Sequence, residues 1–315
     1  MKFQTEVPLY SAKGKYIDFD AQTVLLGSCF STHISGQLNH FKFQTKTNPF
    51  GILFNPKAIL TFLTCVHECK IDERAVFFSD EQWKSFDAHS QLNHSSKSVF
   101  VDQLSTQLEQ CNAYFQTASH FVITLGTAWS YFHLKTQKHV ANCHKQSASE
   151  FEKKIFDVDE TTAILTEIRY LIHAFNPKAD IIFTISPVRH LKDGFVENTR
   201  SKAHLITAVH RVVEHSALLH YFPSYELLMD QLRDYRFYAS DMIHPNAQAI
   251  DFIWQKFKSV WVDPQLDVAL KTISRIQNGL QHKPFNPQSK AHQEFLKTLD
   301  LEIKLLKEQF PQLKL

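Results

Sequence analysis

Thr23-Val24-Leu25-Leu26-Gly27-Ser28-Cys29-Phe30-Ser31-Thr32-His33-Ile34 is the stretch on which the reading of this chain turns. Its first half is an unbroken apolar run closed by glycine, which predicts a short strand covered on both faces. Its second half opens a helix directly after Ser28. A serine at a strand-to-helix junction carries its hydroxyl to the rim of the sheet. There its own N–H lies near a helix N-terminus, where a developing negative charge is stabilised. Gly27 removes the side chain that would obstruct close approach.

The same grammar recurs along the chain. Phe121-Val122-Ile123-Thr124-Leu125-Gly126 and Asp180-Ile181-Ile182-Phe183-Thr184-Ile185-Ser186-Pro187 read as further buried strands, and Leu219-His220-Tyr221-Phe222-Pro223 as a fourth. Helical spacing fills the gaps. Val99, Leu104, Leu108, Cys111 and Phe115 form one face, Ala163, Leu165, Ile168, Leu171 and Ile172 a second, and Leu205, Ala208, Val209, Val212 and Val213 a third. Alternating strands and helices with right-handed crossovers predict an α/β fold, a three-layer α/β/α sandwich around a central parallel sheet. Ligands sit beyond the carboxyl ends of strands in such sheets. Ser28, Gly126 and Ser186 all fall at those ends, so three distant segments share one rim.

Beyond Pro264 no strand run appears. Phe295, Leu299, Ile303, Leu306 and Phe310 mark one face of a helix. We expect a catalytic domain over residues 1–262 and a helical C-terminal extension over 263–315. The apolar face either packs onto the main domain or pairs two copies as a homodimer.

Composition narrows the partners. The chain has 315 residues, of which 43% are hydrophobic, enough for a large core. Lys and Arg total 34 against 32 Asp and Glu, with no basic stripe, which argues against a nucleic-acid partner. No run of about 18 apolar residues suggests a membrane span, and no apolar leader opens the chain. Five cysteines suit reduced thiols. The expectation is a cytoplasmic protein without membrane association.

A second motif lies far from the first. In Asp241-Met242-Ile243-His244-Pro245, an Asp three residues before a His can fold back and fix the imidazole tautomer through Nδ1. That leaves Nε2 to take a proton from a nucleophile, the orienter and base of a catalytic triad. Pro245 and Asn246 read as the opening of the next helix, with the proline in its first turn.

Together these segments resemble the GSCFA family, a branch similar to the SGNH (GDSL-type) hydrolases. The family's nucleophile motif stands here as Gly27-Ser28-Cys29-Phe30-Ser31, with Ser31 in place of the usual alanine. Further matching blocks are Asn48-Pro49-Phe50-Gly51, Thr124-Leu125-Gly126-Thr127, Val140-Ala141-Asn142-Cys143-His144, Ser186-Pro187-Val188-Arg189-His190 and Asp241-Met242-Ile243-His244-Pro245. The resemblance covers about residues 20–260. It implies a flavodoxin-like sandwich and a Ser28, Asp241, His244 triad. It also implies oxyanion donors at the Ser28 and Gly51 N–H groups. The third donor, usually the asparagine of a G-x-N-D block, is missing because Ala128 stands at that position. The Thr127 hydroxyl and the Asn142 amide are the candidate replacements.

The remaining segments carry weaker signals. Arg189, at a strand end, suits either a substrate carboxylate or phosphate or a structural ion pair. His190 is a candidate pocket residue. Cys29 reads as packing. Cys65 and Cys69 lie on one helical face without zinc-site spacing. Trp83, Asp87, His89 and Ser90 belong to an irregular insertion before a long helix, and Trp129 and Tyr131 follow the second rim. The expected function is a serine-dependent ester hydrolase or acyltransferase working through an acyl-serine, with no metal and no organic cofactor. Fold-level analogy adds a small-molecule or carbohydrate acyl ester as substrate. The alternative is a non-catalytic binding module on a degenerate SGNH-like fold.

Overall fold

In the computed structural model, which describes residues 5–12 and 14–314, the four expected strands form one parallel sheet with a fifth. The strands are β1 (Gln22–Gly27), β2 (Gln44–Thr47), a hairpin of β3 (Val76–Ser79) and β4 (Gln82–Ser85), and β5 (His120–Leu125). A three-stranded antiparallel sheet of β6 (Trp129–His133), β7 (Lys138–Val140) and β8 (Phe151–Ile155) follows, then β9 (Asp180–Ile185) and β10 (Leu219–Phe222). The main sheet runs β10-β9-β5-β1-β2, all parallel. Every residue of β5 and β9 is buried, which is why those strands read as continuous apolar runs.

The helices are α1 (Cys29–His40), α2 (Pro56–Glu68), α3 (Lys97–Phe115), α4 (Val158–Phe175), α5 (Phe195–Val213), the short α6 (Ser224–Glu226) continuing into a π-helical turn, α7 (Ala247–Trp261), α8 (Asp267–Gln281) and α9 (Lys290–Gln309). Two apolar clusters sandwich the sheet. One joins its first face to α2, α3, α4 and α5 through residues such as Phe62, Phe115, Ile168 and Leu205. The other joins the opposite face to α1, α7, α8 and α9 through Ile34, Trp254, Ile273 and Leu306.

One strand lacks the expected apolar signal, and three local expectations need correction. Strand β2 carries no apolar run, because Gln44-Thr45-Lys46-Thr47 is an edge strand with polar, half-buried residues. On α3 the buried position is Phe100, while Val99 is exposed. On α4 Ala163 is exposed and its neighbour Ile164 is buried. Pro245 lies outside α7: it pairs with Tyr238 in an isolated bridge, and Asn246 caps the helix by accepting from the Ala249 N–H at 3.1 Å.

The C-terminal stripe turns inward. Leu299 and Leu306 are buried in the second cluster, with Ile303 and Phe310 packed against it, while Phe295 stays 40% exposed. Among the described residues no helix is long and apolar enough to cross a membrane.

Candidate active site

Backbone bonds fix where Ser28 stands. Gly27 has φ +129°, and a Cβ there would overlap the Thr124 carbonyl of β5. Only glycine lets β1 pass so close to its neighbour. The Gly27 N–H donates to Asn48 Oδ1 at 2.9 Å, and the Ser28 N–H donates to Thr124 O at 3.1 Å. Ser28 then caps α1, its Oγ accepting from the Phe30 N–H at 3.3 Å. Ser31 ties the helix back to the sheet by donating to Leu26 O at 3.0 Å.

The Asp241 turn folds as its spacing suggests. Asp241 Oδ1 accepts from the N–H groups of Ile243 and His244 at 2.9 and 3.0 Å. Its Oδ2 lies 2.6 Å from His244 Nδ1. Those contacts, first the His244 N–H, then the imidazole, then the Ile243 N–H, lower the carboxyl to about 2. Residue 242, at φ +58°, allows the tight reversal.

Ser28 and His244 line one cavity of about 260 Å³ with Cys29, Ile52, Phe54, Gly126, Ser186, Arg189 and His190. Among the described residues no hydrogen bond joins Ser28 Oγ to His244. Through Ile52, Phe54 and His190 the cavity adjoins a cleft of about 460 Å³. Trp129, Tyr131, Thr127, Asn142, Lys192 and Asp193 line that cleft. A larger cavity, about 830 Å³, lies elsewhere, against α2 and Asp87. Its thiol, Cys65, is pushed up to about 12, chiefly by burial, so it is no nucleophile at neutral pH. Asp87 there is raised to about 6 by burial.

The oxyanion donors differ from expectation. The Ser28 N–H is spent on Thr124 O, and the Gly51 N–H on Asn48 O at 2.8 Å. Gly51 has φ +79° and closes a turn against His89, without lining the Ser28 cavity. Its role is to shape the loop that presents Asn48 to β1. The Thr127 hydroxyl is 2.9 Å from Ser201 Oγ and accepts from the Trp129 N–H at 3.1 Å, so it belongs to the framework. Asn142 lines the adjoining cleft. Its Oδ1 accepts from the His144 N–H at 2.9 Å, leaving Nδ2 without a partner among the described residues. Arg189 and His190 do line the Ser28 cavity, and His190 Nδ1 lies 2.9 Å from Asp193 Oδ2. Arg189 donates to Tyr238 Oη at 3.4 Å and forms no ion pair among the described residues.

Three contributors escaped the sequence reading. Lys202 is 1% exposed, and its Nζ donates to Gly126 O and Ser186 O, each at 2.7 Å. It clamps the β5 and β9 ends that flank Ser28, and burial lowers it to about 7. Asn198 accepts the His190 N–H at 2.9 Å, and Ser201 accepts the Ala128 N–H at 2.7 Å. Asn198, Ser201, Lys202 and Leu205 follow one helical face. Polar residues at apolar-face positions, in the part of α5 nearest the strand ends, were the available signal. His33, on α1, is lowered by burial first and by the charge of His244 second, which marks it as a neighbour of the imidazole. Cys29 is raised by burial, against the pull of the helix N–H groups and Lys202.

A model of the GSCFA family matches residues 22–257, and one of the GSCFA domain protein, C-terminal domain, matches residues 273–315. The chain belongs to the GSCFA family. No curated protein matches it. Among solved structures it is similar to a carbohydrate esterase family 3 from Talaromyces cellulolyticus, at 9% identity and a TM-score of 0.38, covering 80% of this chain and 98% of that one. It is also similar to an acetyl xylan esterase from the rumen bacterium Butyrivibrio proteoclasticus, at 10% identity and a TM-score of 0.42, covering 88% and 66%.

Proposed function

We propose that the protein is a serine ester hydrolase or acyltransferase in which Ser28 is the nucleophile, His244 the general base and Asp241 the residue that orients it. The observation that carries this is the 2.6 Å bond from Asp241 to His244 Nδ1, with His244 walling the cavity that Ser28 also lines. A carboxylate on Nδ1 leaves Nε2 as the acceptor for the serine proton. Serine–histidine bonds often tighten only with substrate in place. Ser28 Oγ attacks the acyl carbonyl as its proton passes to Nε2. The imidazolium then protonates the leaving alkoxide, and water or an acceptor hydroxyl releases the acyl-serine. A cavity of about 260 Å³ suits a short acyl group, and the adjoining cleft, with Trp129 and Tyr131, suits a sugar. Lys202 acts as a positioning residue behind Gly126 and Ser186.

A second reading has its own observation. With the Ser28 and Gly51 N–H groups both engaged, the expected oxyanion donors are already committed to backbone carbonyls. That favours a binding module that keeps the fold and turns nothing over. One experiment separates the two. A fluorophosphonate probe is expected to label Ser28, and short-chain p-nitrophenyl esters to be hydrolysed, both lost in Ser28→Ala. No label and no turnover in the wild type would favour the binding module. Turnover surviving in Ser28→Ala would remove the nucleophile assignment.

A further inference from the structure

Charge around Ser28 is unevenly balanced. Asp193, which lines the adjoining cleft, is already bonded to Lys153 Nζ and to His190 Nδ1. Asp241 is turned back on its own loop. Among the described residues Arg189 and Lys192, on the same walls, form no ion pair. Arg189, half-buried in the Ser28 cavity, has one hydrogen bond among the described residues, to the Tyr238 hydroxyl at 3.4 Å, and it also lines a second cavity with Asp234 and Asp241, with neither of which it forms an ion pair. Its fork carries five N–H donors shaped for a planar anion. Lys192, in the cleft beside it, lies 5.4 Å from the Tyr131 ring centroid, with no carboxylate partner among the described residues. An ion pair would have explained Arg189 as a structural residue, and none is present among the described residues.

We infer that the ester taken by this site carries a carboxylate, seated on Arg189, with Lys192 biasing the approach. The inference rests on the reading of Ser28 given above and adds the class of substrate. The carboxylate can lie on either side of the scissile bond, on the acyl chain or on the alcohol. A charge-assisted bidentate contact in a half-buried cavity is the strong form of hydrogen bond. It corresponds to roughly ten- to a hundredfold in kcat/KM over a neutral analogue.

Two matched pairs of esters test this. The p-nitrophenyl monoester of adipate against p-nitrophenyl hexanoate places the charge on the acyl side. Acetylated glucuronic acid against acetylated glucose places it on the alcohol. The readout is the charged-to-neutral ratio of kcat/KM in wild type, Arg189→Gln and Arg189→Lys. The expected result is a ratio above about ten in one pair, falling toward one in Arg189→Gln and kept in part by Arg189→Lys. A ratio that Arg189→Gln leaves unchanged in both pairs overturns the inference. Should no ester turn over, calorimetry with adipate and with glucuronate on Ser28→Ala protein decides. Binding that Arg189→Gln abolishes supports the inference, and no binding, or binding indifferent to Arg189, overturns it. Failure of the Ser28 reading shows separately, as absence of the fluorophosphonate label.

Discussion

Asp241 and His244 are joined within a single turn: the carboxylate holds the imidazole Nδ1 at 2.6 Å and the His244 N–H at 3.0 Å. One side chain therefore sets both the backbone and the ring of a residue that lines the Ser28 cavity. Replacing Asp241 with Asn keeps the size but offers an amide that can favour the other tautomer. Steady-state kinetics should show kcat lowered roughly a thousandfold or more, with KM little changed. Equal loss in KM would point to a binding role. Because the Asp241 carboxyl is lowered to about 2, it stays ionised through the mildly acidic range. Any acid limb of the rate profile above about pH 4 then belongs to another group.

Lys202 predicts a pH-dependent stability. Its ordinary value is 10.5, and burial lowers it to about 7 in the folded protein. Between those values the unfolded chain binds the proton and the folded one has released it. Stability from this residue therefore rises with pH across that window and is weakest below it, where the buried ammonium costs free energy. Urea unfolding from pH 7 to 10 should show wild type gaining a few kcal/mol relative to Lys202→Met. Parallel curves would mean that the amine stays protonated on its two carbonyls.

Gly27→Ala should be among the most damaging single-methyl changes in the protein. The new Cβ would overlap the Thr124 carbonyl, at a φ of +129° that L side chains rarely adopt. We expect a loss of about 2–4 kcal/mol by chemical denaturation, with Ser28 labelling falling further than the folded fraction does. An alanine variant of wild-type stability would mean that β1 and β5 can separate at their ends.

Thiol reactivity should follow burial and not the proximity of Cys29 to a helix N-terminus. Cys69 is exposed, whereas Cys65 and Cys111 are pushed up to about 12 and Cys29 is raised. Timed alkylation at neutral pH, read by peptide mass spectrometry, should modify Cys69 first. Early modification of Cys29 would reveal a thiolate beside the proposed nucleophile.

Much of this architecture was legible in the sequence because buried parallel strands write themselves as unbroken apolar runs. Val24 to Gly27, Phe121 to Leu125 and Ile181 to Ile185 are central strands, and each carries that signal. Strand β2 sits at an edge and its polar residues carry no such mark. The Asp241 turn was legible because its contacts are three residues apart. The engagement of the Ser28 N–H was not, since its partner Thr124 lies on another strand and the bond depends on how closely β1 and β5 approach. Lys202 was hidden for a related reason. A lysine on a helix reads as solvated unless its place beneath two strand ends is known.

The clamp on Gly27 and Ser28 also bears on how the molecule comes into being. Ser28 follows β1, the strand that is synthesised first yet sits between β2 and β5, so that strand acquires its second neighbour only after residue 120 has emerged. His244 arrives later still, after β9 and β10 have been added beyond β5. A chain cut anywhere before His244 lacks the Asp241–His244 pair that walls the Ser28 cavity. On the reading proposed above, the cavity that Ser28 and His244 share is therefore complete only after the last strand of the sheet has been made.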